Sequence, residues 1–142
     1  MKLVKHLLDR KGRSIIAVKP GDSVLDAIRV MAEKNIGAVV VMDGGQLLGI
    51  MSERDYARKV IVKGRASDTT PVADIMTADV LTASGAETVN HCMGVMTERK
   101  IRHLPVVDDD TVVGMISIGD LVEAIIADQQ EEIQQLESYI SG

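Results

Sequence analysis

The sequence predicts an α/β fold of two pseudo-symmetric β-α-β-β-α repeats with a C-terminal helical extension. Three observations lead there. A constant offset of 65 residues pairs Gly49 with Gly114, Ser52 with Ser117 and Asp55 with Asp120, and it also pairs Val24 with Val89, Met31 with Met96 and Asp43 with Asp108. The register runs from residue 15 to residue 123 without a gap, and repetition at a fixed period decides the architecture before any other signal. Within each copy, stretches at helical spacing alternate with short runs rich in Val and Ile. Length is the third observation. A lone copy of about 60 residues would bury only about 60% of its unfolded surface, against nearly 70% for about 150 residues, so the two copies are expected to fold together.

Leu3, Val4, Leu7 and Leu8 lie at near-helical spacing before Lys11-Gly12 and read as a lead-in helix. Its counterpart at the same offset is Asp68 to Thr77, with Val72, Ile75 and Met76 as a similar apolar face. Ile15-Ile16-Ala17-Val18 reads as a strand broken by Pro20-Gly21. Ser23 and Asp26 resemble a capping box ahead of an amphipathic helix carrying Val24, Ala27, Ile28 and Met31. The apolar runs Gly37 to Met42 and Leu47 to Met51, separated by Asp43-Gly44-Gly45-Gln46, read as a hairpin. Ser52 then opens a helix with Tyr56, Ala57, Val60 and Ile61.

The second copy repeats this plan. A strand is expected at Val80-Leu81-Thr82, a helix through Val89, Cys92, Met93 and Met96, and a hairpin from His103 to Val107 and Val112 to Ile116. Pro105 has no N–H to give to a ladder, so its strand should leave that position unpaired. Helix signals continue from Ile118 almost to the end, where Val122, Ile126, Ile133, Leu136 and Ile140 form one apolar seam that needs a cover. The expected divisions are residues 3–66 for the first repeat, 67–127 for the second and 128–142 for a helical tail.

Composition narrows the function. With 46% apolar and 26% charged residues and three Pro, the chain has a globular profile. A net charge of −5 and only two Tyr, with no Phe or Trp, give neither the basic field nor the stacking platform of a nucleic-acid binder. The longest apolar run, Ile36 to Met42, is far short of the roughly 20 residues that span a bilayer. No secretory signal is visible in Met1-Lys2-Leu3-Val4-Lys5-His6. One cysteine, Cys92, cannot form an internal disulfide. A cytoplasmic protein without contact to membrane or nucleic acid is expected.

The repeated Ser-x-x-Asp has two readings. Ser52 and Ser117 are good helix N-caps, with Asp55 and Asp120 reaching back from the third helical position. The same geometry also gathers free N–H groups, a hydroxyl and a carboxylate at one helix mouth. Such a carboxylate can accept two hydrogen bonds from a vicinal diol, as acidic residues do on ribose in dinucleotide folds, while N–H groups and hydroxyl suit phosphate. Ribose with phosphate means a nucleotide.

These paired Gly-h-h-Ser-x-x-Asp motifs (h, an apolar residue), together with Arg102-His103-Leu104-Pro105-Val106-Val107-Asp108 and Asp74-Ile75-Met76-Thr77, resemble a tandem pair of cystathionine-β-synthase (CBS) domains, a Bateman module of the stand-alone bacterial type. The resemblance covers residues 3 to about 127. It implies repeats packed through their sheets, two clefts for adenosine ligands such as AMP, ADP, ATP, NAD or S-adenosylmethionine, and a flat homodimer. It also implies that Asp55 and Asp120 hold ribose hydroxyls and that Ser52 and Ser117 lie near ribose or phosphate. Adenine contacts are implied for Ile15, Ile16 and Ala17 in the first copy and for Val80, Leu81 and Thr82 in the second. Arg102 and His103 stand where the family often places phosphate-binding residues, whereas the first copy has Gly37 and Ala38 there. In the first copy Arg54 and Arg58, one helical turn apart, can face the same anion, and Lys59 and Lys63 read as a solvated helix face.

Other candidates point to no chemistry. Cys92 aligns with Ala27 on a buried helix face, Asp108-Asp109-Asp110 reads as a hairpin turn, and His6, His91 and His103 lack metal-ligand spacing. No nucleophile motif is present. The expectation is a regulatory module for adenine nucleotides, AMP, ADP, ATP or NAD, acting in signal transduction and energy sensing on an unidentified regulated protein. Arg102, Arg54 and Arg58 favour these anions over the sulfonium of S-adenosylmethionine. The competing expectation is a ligand-independent dimerisation scaffold whose tail seam recruits a partner.

Overall fold

Residues 2–141 are described in the structure, a computed structural model. In chain order the elements are α1 (Val4–Lys11), β1 (Ala17–Val18), α2 (Val24–Lys34), β2 (Ala38–Asp43), β3 (Gln46–Ser52), α3 (Glu53–Tyr56), a π turn at Ala57–Ile61, a 3-10 turn at Val72–Asp74, α4 (Val89–Arg99), β4 (His103–Asp108), β5 (Thr111–Ser117) and α5 (Ile118–Ser141). The chain divides into two compact units, Ile15–Leu81 and Met1–Ser14 with Thr82–Gly142. The sequence repeat and the compact unit are therefore cut differently. The lead-in helix α1 belongs by sequence to the first copy but packs within the unit of the second.

In the unit Ile15–Leu81, the apolar face expected of α2 is buried through Val24, Ala27 and Met31. The N-cap Ser23 Oγ accepts from the Asp26 N–H at 3.1 Å, while the Asp26 carboxylate pairs with Arg29 at 3.8 Å. The helix stops at Asn35, whose left-handed backbone (φ 53°) ends the ladder. Strand β1 runs parallel to β2 (Ala17↔Val40), and β2 is antiparallel to β3 (Ala38↔Ser52). Gly44 and Gly45 both have positive φ, 57° and 82°, as the two-residue turn between β2 and β3 requires. Val18, Val39, Val41, Met51, Val60 and Ile75 are among the side chains that close the core.

In the other unit, α1 joins α4, α5 and the β4–β5 hairpin around Leu8, Cys92, Met96, Leu104, Ile116 and Leu121. The N–H groups of Val4 and Lys5 donate to Glu87 O and Gly85 O, at 2.9 and 3.0 Å, and so moor the start of α1. Asp108 Oδ1 accepts from Ser84 Oγ and Gly85 N–H, both at 3.1 Å, so this aspartate pins the loop beneath the helix. Asp109 and Asp110 form the tight turn expected of them, with φ of 51° and 59°.

Two expected elements differ. The strand at Val80–Thr82 does not form; Ala83 alone makes a parallel bridge to Val106. In the first copy the Val40 N–H donates to Ile16 O at 3.3 Å. The corresponding pair is Pro105 and Leu81, and Pro105 has no proton to give. The counterpart of α1 shrinks to the 3-10 turn Val72–Asp74 behind Pro71, with Val72 and Ile75 buried. The helical tail expected at residues 128–142 continues α5 without a break as far as Ser141; Gly142 lies outside the described residues.

Candidate functional site

Both Ser-x-x-Asp motifs sit where a strand turns into a helix, and each is held by the same two bonds. In the first, Asp55 N–H donates to Ser52 Oγ at 3.1 Å, and Ser52 N–H donates back to Asp55 Oδ2 at 3.0 Å. In the second, Asp120 N–H donates to Ser117 Oγ at 3.2 Å, and Ser117 N–H donates to Asp120 Oδ2 at 2.8 Å. Reciprocal capping satisfies donors that a helix start otherwise leaves orphaned. The structural role of the motif is thus real in both units, and any ligand role is added to it.

The motif glycines have a separate duty. A Cβ on Gly49 would lie 2.8 Å from Thr77 O and from Met76 Sδ, and one on Gly114 would lie 2.7 Å from Leu8 Cδ2. Each glycine is the seat on which a lead-in segment rests. Those segments bring Thr77 and Lys11 to the carboxylates.

The carboxylates are engaged differently. Asp55 is 9% exposed. Its Oδ1 accepts from Lys59 Nζ at 3.0 Å and from Thr77 Oγ1 at 3.4 Å, and its Oδ2 also takes the Ser52 hydroxyl at 3.1 Å. Asp120 takes Lys11 Nζ on Oδ2 at 2.5 Å, and Lys11 also donates to Met115 O at 2.6 Å. Asp120 Oδ2 thus carries two donors, the Ser117 N–H and the Lys11 ammonium. Leu7, Arg10, Lys11, Asp120 and Glu123 line a cavity of about 150 Å³, the size that admits a six-membered ring.

The other expected site residues fall as follows. Residues 15–16 lead into β1, which enters the sheet at the end where Ala38 pairs with Ser52. Ile15 and Ala17 are exposed, while Ile16 packs partly on the core. Val80 is half-buried, and Leu81 and Thr82 are exposed. Arg102 is exposed and its carbonyl accepts from Ile118 N–H at 2.8 Å; His103 pairs with Ser117 across the hairpin. Arg54 is half-buried at the mouth of α3 and Arg58 is exposed on the π turn, a local widening frequent at functional sites.

Sequence reasoning missed two cations. Lys59, read as solvated, instead pairs with Asp55 and donates to Ile75 O at 2.9 Å. Its i, i+4 spacing to Asp55 was the available signal. Lys11 carried no signal, because its partner is distant in the chain and its counterpart in the repeat is Met76. Cys92 is buried as expected. Burial, then the charge of Glu87 and a hydrogen bond to it, pushes its thiol from 9.0 up to about 11. Such a thiol is a poor nucleophile.

Among the described residues no cluster of His, Cys, Asp or Glu is arranged to hold a metal ion, and no helix is long and apolar enough to cross a membrane. The CBS domain profile matches residues 4–62 and 72–127, and the chain belongs to that family. It is 45% identical over 126 residues to the CBS domain-containing protein CBSX3, mitochondrial, of Arabidopsis thaliana, covering 85% of this chain but 61% of that protein's length. A solved structure of a putative signal-transduction protein with CBS domains from Burkholderia ambifaria is 48% identical, with a TM-score of 0.87 over 90% of this chain and 96% of that one. The CBS domain pair of protein MJ0100, solved with 5′-methylthioadenosine and S-adenosyl-L-methionine, is 28% identical, with a TM-score of 0.80 over 90% of this chain and 98% of that one. A relative of the same fold thus holds adenosine-bearing ligands.

Proposed function

We propose that the protein is a regulatory module that binds an adenine nucleotide, AMP, ADP, ATP or NAD, through Asp120 and Asp55, and signals by shifting between two conformations. The observation that carries this reading is the Asp120 carboxylate, capped by Ser117, at a cavity of about 150 Å³ that the cations Lys11 and Arg10 also line. The ligands of MJ0100 support an adenosine group. Arg54, Arg58, Arg102 and His103, on the mouths and flanks of the two motifs, support an anionic one, since charge-assisted bonds to phosphate are about twice as strong as neutral ones. S-adenosylmethionine shares the adenosine but gains nothing from those cations.

Signalling requires that the ligand bind two states with different affinity. A homodimer is the assembly in which we place the module, and a reducing compartment such as the cytoplasm suits its lone, buried Cys92 thiol. No catalytic step is part of this reading. A thermal-shift and calorimetry panel of AMP, ADP, ATP, NAD and S-adenosylmethionine tests it. Saturable binding of one or more nucleotides, tighter than that of S-adenosylmethionine, is expected; no stabilisation by any of the five contradicts it.

The exposed seam of α5 favours a second role. Ile133, Leu136, Tyr139 and Ile140 are all more than half exposed, and such a contiguous apolar face marks an interaction surface. Truncation after Ala127 followed by mass measurement in solution separates the roles. Loss of the dimer makes the tail the assembly element, and a dimer that survives truncation makes it an accessory.

A further inference from the structure

We infer that Lys11 is a selectivity residue of the Asp120 site: its ammonium, paired with the carboxylate, competes with ribose for it and is released to the ligand's anionic group when ribose takes its place. The inference rests on the nucleotide-binding reading above and deepens it. Asp120 Oδ2 already accepts two bonds, from Ser117 N–H at 2.8 Å and from Lys11 Nζ at 2.5 Å. An sp² oxygen has two lone pairs, so Oδ2 is full. A vicinal diol gripped by both oxygens therefore has to displace one donor. Ser117 N–H is fixed by the strand-to-helix turn; the Lys11 ammonium ends a flexible stem at the last turn of α1 and is more than a third exposed.

Displacement has opposite consequences for two ligands. Neutral adenosine breaks the ion pair and leaves the ammonium with Met115 O alone. AMP breaks the same pair but brings its own counter-charge to the cavity that Lys11 and Arg10 line. The lysine thus penalises nucleosides and spares nucleotides. The other unit has a related device by a different route, since Lys59 reaches Asp55 from the π turn.

The test is calorimetric titration of adenosine and of AMP into the full-length protein and into Lys11→Met, with Lys11→Gln as a second variant and circular dichroism melts to establish folding. The wild type should favour AMP over adenosine, and either folded variant should lose about tenfold of that ratio, with adenosine bound as tightly as in the wild type or more so. An unchanged AMP-to-adenosine ratio in a folded variant overturns the role of Lys11 while leaving nucleotide binding intact. A wild type that binds neither ligand overturns the nucleotide reading and this role with it.

Discussion

Leu8 Cδ2 stands 2.7 Å from the place a Cβ on Gly114 would take, so the helix that delivers Lys11 rests directly on the motif glycine. In the other unit the contact is harder, because the atom opposite Gly49 is the backbone oxygen of Thr77 at 2.8 Å. A leucine methyl can rotate away; a carbonyl held in a bridge to Ile50 cannot. We expect Gly49→Ala to lower stability by about 1–3 kcal/mol, the usual range for overpacking, and Gly114→Ala to cost less. Urea denaturation midpoints of the two variants decide it, and equal or reversed losses would contradict the seating role.

Lys59 and Lys63 lie one turn apart but do different work. Lys59 ties Asp55 to Ile75 O, whereas Lys63 is exposed. Lys59→Met leaves a largely buried carboxylate short of a donor and should cost about 1–3 kcal/mol. Lys63→Met should stay within about 0.5 kcal/mol of wild type. Thermal melts of both variants check the contrast, and a silent Lys59→Met would return that lysine to the solvent face.

Cys92 makes a prediction about pH. Its thiol is raised from 9.0 to about 11 in the folded protein, first by burial and then by Glu87. Between those values the unfolded chain loses the proton while the native thiol keeps it, so the native state binds more protons and stability falls as pH rises. Below about pH 9 the group has no effect on the slope. The stability difference between wild type and Cys92→Ala should therefore shift against wild type from pH 9 to 11. Iodoacetamide should label the native protein far more slowly than the unfolded one at pH 8. A pH-independent difference with rapid native labelling would place the thiol at the surface.

Much of this architecture was legible because the duplication carries its own control. The 65-residue offset locates both helix mouths, both hairpins and the N-caps Ser52 and Ser117, and it even explains a failure: Pro105 stands where Val40 donates, so the strand ending at Thr82 cannot be laddered as Ile16-Ala17 is. What could not be seen is what the offset does not copy. Lys11 reaches Asp120 from a segment that belongs by sequence to the other copy, because repetition records how the chain was duplicated and packing records which surfaces fit. The π turn at Ala57–Ile61 likewise leaves no periodic mark, although it carries the Lys59 that closes over Asp55. The ligand roles of Ile15, Ile16, Ala17, Val80, Leu81 and Thr82 come from family resemblance alone.

The central claim is that the Asp120 carboxylate grips a ribose diol. Calorimetric titration of AMP into Asp120→Ala tests it most directly, with melts of the empty protein to show that the fold survives loss of the cap partner. The account predicts a loss of about 1.5–3 kcal/mol of binding, roughly ten- to a hundredfold in affinity. An AMP affinity equal to wild type in a folded Asp120→Ala would contradict it.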